Sequence, residues 1–152
     1  MMSFDMNNPE FNDDISDAIR EATSEENLTR MVVISQAESG DLESQSALGT
    51  CYYHGLWSFE QNYKESAKWF AKAAAKGDVI SQFYMGVCYC NGQGVDKNYS
   101  KSVEWFSKAS DNNMDDAKEH LKNFKENSAG EWEYTGKEIV LNIDDVEDDD
   151  DE

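Results

Sequence analysis

GDLESQSALGTCYYHG, residues 40–55, lies over GDVISQFYMGVCYCNG, residues 77–92, at a constant offset of 37. Gly40, Asp41, Gln45, Gly49, Cys51, Tyr52 and Gly55 recur as Gly77, Asp78, Gln82, Gly86, Cys88, Tyr89 and Gly92. NYKESAKWFAKAAAKG, residues 62–77, then lies over NYSKSVEWFSKASDNN, residues 98–113, at an offset of 36. Such a period fixes the architecture before any motif is considered, because each copy must be one supersecondary unit that buries its apolar face against its neighbour. The one-residue difference falls between the halves, LWSFEQ against QGVDK, where a surface connection tolerates a change of length.

Each copy divides into two helical stretches of about 12 residues, roughly 18 Å long. Leu48, Gly49 and Tyr52 share one face of the first stretch, as do Met85, Gly86 and Tyr89. Tyr63, Ala67, Phe70 and Ala74 follow at steps of three or four, as do Tyr99, Val103, Phe106 and Ser110. Gly49 and Gly86 let the paired helix come close. Gly55 and Gly92 are expected to end the first helix in a left-handed cap. RMVVISQAESG, residues 30–40, reads as the second helix of a preceding unit. MDDAKEHLKNF, residues 114–124, reads as the first helix of a third.

Several residues that invite a chemical reading are absorbed by this pattern. Gly92 and Gly94 would make a dinucleotide fingerprint only with a strand before them and a helix opening on a third glycine. Cys51 and Cys88 share one repeat position, which implies packing or groove-wall duty. Cys90 alone breaks the pattern, and neither His54 nor His120 has ligand spacing to it, so no metal is expected. DNNMDDAKEH begins like a calcium loop but has Asp116 where glycine is required and Lys122 where the closing glutamate belongs. Trp69-Phe70 and Trp105-Phe106 read as core between repeats. Trp57, in the variable loop, either folds back or anchors a partner. No catalytic set and no cofactor motif emerges.

The pattern resembles the Sel-one-like repeat family, which is related to tetratricopeptide repeats. Its motif, A-x-x-x-L-G-x-x-Y-x-x-G-x-G-V and D-x-x-x-A-x-x-W-Y/F-x-K-A-A-x-x-G, is matched by MGVCYCNGQGVD with VEWFSKAS, and by LGTCYYHG with AKWFAKAAAKG. The first copy departs from it at Leu56, Trp57 and Ser58. The resemblance implies an all-α fold, an α/α solenoid of helical hairpins over residues 26–127, with full repeats at 40–76 and 77–112, that serves as a protein-binding scaffold. It also implies which residues face the concave groove: Glu43, Ser46, Thr50, Tyr53 and His54 from the first copy, and Ile80, Phe83, Val87, Cys90 and Asn91 from the second. Asp116, Glu119, Asn123 and Glu126 follow from the third. Ile80, Phe83 and Val87 would form an apolar stripe, open to a partner's apolar anchor or covered by an N-terminal helix.

The ends differ from the middle. Residues 1–25, with a helix near DDISDAIREA, are expected to cap the solenoid. GEWEYTGKEIVLNI, residues 130–143, changes to strand spacing, with a turn at Thr135-Gly136 and alternating Ile139, Leu141 and Ile143. This extension over 128–143 either packs on the last helix or lends a strand to a partner. DDVEDDDDE, residues 144–152, holds eight acids and reads as a disordered tail.

Charge narrows the partners. The chain carries 32 acidic and 13 basic residues, for a net charge of −19. Residues 41–112 hold 8 acids and 7 bases, so the excess sits at the ends. Direct nucleic-acid binding is disfavoured, since it needs clustered Lys and Arg, whereas a basic protein would be attracted. No apolar run approaches the length of a membrane span. The acidic N-terminus lacks the pattern of a secretory signal, and the three cysteines do not read as a disulfide framework, so a reducing cytoplasm is expected. Sel-one-like repeats also occur among bacterial immunity proteins, and that resemblance together with the charge implies a basic toxin, such as a nuclease, as partner. The alternatives are a general adaptor in a larger complex or, against the cysteine pattern, a β-lactam-binding enzyme like the cysteine-rich members of the family.

Overall fold

The computed structural model describes residues 9–143. The acidic tail at 144–152 and the first eight residues of the expected cap lie outside the described residues. The order is α1 (Pro9–Ala22), α2 (Glu25–Glu38), α3 (Leu42–His54), α4 (Tyr63–Ala75), α5 (Val79–Asn91), α6 (Tyr99–Asp111), α7 (Asp115–Leu121), β1 (Phe124–Glu126) and β2 (Trp132–Tyr134).

The repeat seen in the letters is repeated in the bonds. Asp41 and Asp78 cap α3 and α5 by accepting from the Ser44 and Ser81 amides. Asn62 and Asn98 cap α4 and α6 in the same way, from Glu65 and Lys101. Each such cap satisfies an amide that the first turn leaves free. Gly55 and Gly92 close α3 and α5 with φ of 69°, the left-handed conformation that costs other residues more. Within each pair, the hydroxyl of Ser66 donates to the Gly49 carbonyl at 2.8 Å, and that of Ser102 to Gly86 at 2.7 Å. Between pairs, the Gln45 carboxamide donates to the Ala37 carbonyl at 3.1 Å and Gln82 to Ala74 at 3.4 Å.

These bonds seat the aromatic core. Phe70 and Phe106 are fully buried against Gly49 and Gly86, and Tyr84 stacks on Phe70 with centroids 4.3 Å apart. Their sequence neighbours Trp69 and Trp105 are only half-buried, each lying under a lysine one turn on: Lys72 at 4.6 Å and Lys108 at 4.4 Å. The WF dipeptides thus divide, with phenylalanine in the core and tryptophan at the surface in a cation–π pair.

The two ends depart from simple repetition. At the N-terminal end α1 packs lightly on α2, and Ile15, Ile19, Leu28, Met31 and Val32 are exposed. At the other end α7 stops at Leu121, and Phe124 turns into a strand rather than closing a helix. β1 pairs antiparallel with β2 in the register Phe124↔Tyr134. The hairpin turn is therefore Asn127–Glu131, with the Asn127 side chain accepting from the Ala129 and Glu131 amides, and not the expected Thr135-Gly136. Phe124, 7% exposed, fastens the hairpin to the core; that packing supplies what a lone hairpin in water lacks.

Candidate concave-face site

The first helices of the repeats, α3 and α5, form the floor of a pocket of about 790 Å³. Ala47, Leu56, Trp57 and Ile80 give it apolar walls, while Asp41, Glu43 and Asp78 supply carboxylates; among the described residues no lysine or arginine lines it. Hydrogen bonds from the Ser44 hydroxyl and then its amide hold the Asp41 carboxyl below its ordinary range, with Lys76 adding a smaller effect. Asp41 therefore stays charged wherever carboxylates normally do.

The loop between α3 and α4 presents the aromatic wall. Phe59 folds back, 3% exposed, into a cluster with Ala37, Leu48 and Cys51. Trp57 remains 46% exposed on the pocket wall. It and Ser58 take φ of 49° and 61°, a region sparsely populated for non-glycine residues. The departure from the family motif at Leu56, Trp57 and Ser58 is the sequence signal for this wall.

The concave-face residues divide three ways. Glu43, Ser46, Thr50 and Ile80 line the pocket beside Trp57. His54 and Asn91 are half-buried, and Asp116 and Glu119 are exposed on α7. Tyr53, Phe83, Val87 and Cys90 do not face an open groove: they are 4%, 2%, 0% and 2% exposed. Tyr53 is wedged between repeats, its ring 5.1 Å from both Tyr63 and Tyr84 and its hydroxyl donating to Gln93 at 2.6 Å. Phe83 lies under α7, with its ring 5.7 Å from that of His120. The expected open stripe of Ile80, Phe83 and Val87 is thus reduced to Ile80, because the third unit and the C-terminal segment close over the rest. Among the described residues, no N-terminal helix covers them.

The C-terminal segment was the part of the site that strand spacing alone could not place. The Asn91 carboxamide donates to the Ile139 carbonyl at 2.7 Å and accepts from the Ile139 amide at 3.2 Å. Ile139 is 5% exposed and joins the buried cluster that holds Val87 and Cys90; Leu141 packs against the same cluster. Two residues on, Ile143 reaches the pocket lined by Thr50, Ile80 and Tyr84. Residues 139, 141 and 143 thus run along α5 towards α3.

Cys51, Cys88 and Cys90 are free and buried. Burial pushes Cys51 and Cys90 up to about 11 and Cys88 to about 12, which keeps the unreactive thiol form. His54 meets the Tyr84 hydroxyl at 2.8 Å, and burial lowers its pKa. Burial also lowers that of His120, against the opposing pull of Asp116 and Glu119.

Paired helices stacked in register with a concave pocket define an α/α-repeat solenoid. Residues 42–78 and 79–114 both match the Sel1 repeat, so the chain carries two Sel1 repeats. A Sel1 repeat protein from Oxalobacter formigenes is similar at 32% identity and a TM-score of 0.60, over 62% of this chain and 27% of that one. A protective antigen present in uropathogenic Escherichia coli strains, displaying an SLR fold, is similar at 33% identity and a TM-score of 0.54, over 56% of this chain and 18% of that one. The chain thus spans less than a third of the length of either structure. No curated protein matches it. Sel1 repeats generally mediate protein–protein interaction and are typically non-catalytic. No helix among the described residues is long and apolar enough to cross a membrane.

Proposed function

We propose that this chain is a non-catalytic module whose concave face holds a basic protein partner at the α3–α5 pocket. The observation that carries the proposal is the lining: apolar Ala47, Leu56, Trp57 and Ile80 beside the carboxylates of Asp41, Glu43 and Asp78, without a lysine or arginine among them. Such a site suits a partner segment that inserts an apolar side chain and surrounds it with Lys or Arg. The sequence reinforces the charge, because the chain continues from Ile143, on the pocket wall, into DDVEDDDDE. An immunity protein that neutralises a basic toxin, such as a nuclease, in a reducing cytoplasm is the role these features favour. A general adaptor is the second reading, supported by the greater length of both similar structures.

A photoreactive amino acid at position 57 of the full chain tests the proposal. It is expected to cross-link a basic protein in cells of the source organism, and the adduct should diminish as salt rises, since exposed charges are screened. Adducts only with neutral or acidic proteins, or equal yields from a probe at Glu104 on α6, would count against it.

A further inference from the structure

The C-terminal segment has the features of a bound ligand more than those of a structural strand. Its inward residues alternate, Ile139, Leu141 and Ile143, while Glu138, Val140 and Asn142 face out, Val140 at 74% exposure. Burial fades along it, from 5% exposed at Ile139 to 37% at Ile143. Among the described residues, the hydrogen bonds that join the main chain of 138–143 to the repeats are the two made by the Asn91 side chain. A strand held by a sheet ladder would have its main-chain groups paired along its length. This one is pinned at a single residue and otherwise held by alternate aliphatic side chains.

Resting on the reading of the concave face as a protein-binding site, we propose that residues 138–143 are an internal ligand of that face. They define what it accepts from a partner: an extended segment with aliphatic side chains at every second position, its main chain clamped by Asn91. The partner's segment displaces residues 138–143 and enters along the same track. Its basic residues then meet Asp41, Glu43 and Asp78 at the far end, near Ile143. Asn91 can serve any such sequence, because a carboxamide that donates to a carbonyl and accepts from an amide reads only the main chain. Selectivity resides in the alternate side chains and the terminal charges. Displacement is feasible because the segment is joined to the groove by few main-chain bonds, the kind of element that opens without global unfolding.

The test uses a fluorescein-labelled peptide of residues 135–143, TGKEIVLNI, titrated against two full-length chains, wild type and Ile139→Ser. In wild type the attached segment competes at high effective concentration. The variant loosens that segment, so the peptide is expected to bind it at least tenfold more tightly. Adding Asn91→Ala to Ile139→Ser is expected to remove that gain. Equal binding to wild type and Ile139→Ser, with the variant still melting cooperatively, would overturn the proposal. Should Ile139→Ser fail to fold, amide hydrogen exchange in the wild-type chain decides the matter. Exchange at the Asn91-bonded Ile139 amide that is faster than at Val87 supports a displaceable segment, and exchange coincident with Val87 overturns it. Cross-linking of a basic protein from position 57 that persists while the peptide result fails would leave the concave-face site standing and remove only the internal ligand.

Discussion

The ring of Phe106 lies so close to Gly86 that a Cβ on that glycine would stand 2.7 Å from the phenylalanine Cδ1. Gly49 and Phe70 repeat the relationship at the same 2.7 Å. Two effects compete when Gly86 becomes alanine. Helix propensity favours alanine by about 1 kcal/mol, while overpacking a rigid core costs about 1–3 kcal/mol. Phe106 is fully buried and has nowhere to retreat, so overpacking wins. Gly86→Ala is expected to lower the urea midpoint, and Gly86→Ala with Phe106→Leu to recover part of the loss. A raised midpoint for the single variant would contradict the packing described.

Ser102 is fully buried and donates to the Gly86 carbonyl. Ser102→Ala removes the second bond to that carbonyl, which keeps its place in the α5 ladder, and is expected to cost about 0.5–1.5 kcal/mol in chemical denaturation. Ser66→Ala, its repeat equivalent, should cost a similar amount. A clear cost at only one of the two would show that the repeats are not energetically equivalent.

The three thiols are expected to resist a thiol reagent at pH 8 in the native chain and to react promptly after unfolding. The physical cause is burial, which holds Cys51 and Cys90 near 11 and Cys88 near 12; only the thiolate attacks. Cys88 should react most slowly of the three. Prompt native labelling at Cys88 would contradict its placement in the core.

Burial depresses the pKa of both His54 and His120. Proton NMR should therefore give each ring a midpoint below the ordinary value of about 6.5. A neutral imidazole favoured by the fold contributes stability that is fully present above about pH 6.5. That contribution diminishes as the pH falls from there through the depressed folded value. His120→Asn should accordingly unfold with a weaker dependence on pH across this window than wild type. A midpoint at or above the ordinary value for either ring would contradict the sign.

How far the sequence revealed this molecule depends on whether neighbours or distant segments decide a residue's surroundings. Gly55 and Gly92 at the helix ends, and Gly49 and Gly86 where the paired helix comes close, were legible because the repeat doubles each signal. Phe83, Val87 and Cys90 were misassigned to an open groove. Their cover comes from His120 on α7 and from the cluster containing Ile139, which no single repeat encodes. The hairpin was mispaired for a similar reason. Trp132–Tyr134 joins Phe124–Glu126 across an Asn127 turn, although alternation alone made Ile139–Ile143 an equally good partner. Phe124 and Glu126 sit just before N-S-A-G, a turn signal that the helical reading of residues 114–124 obscured. Trp57 could be located in the sequence but not oriented, since its exposure depends on Phe59 taking the inward place.

Under the proposed function, a basic protein binds at the α3–α5 pocket, beside its carboxylates and Trp57. The most direct measurement is the dissociation constant of the partner cross-linked from position 57, for wild type, Glu43→Lys and Glu104→Lys at fixed salt. Glu43→Lys reverses a charge at the pocket and is expected to weaken binding by about tenfold, roughly 1.4 kcal/mol. Glu104→Lys, on α6 away from the pocket, should change it little. Equal weakening by both would mean that net charge alone drives association, and no effect from Glu43→Lys would contradict the assignment of the site.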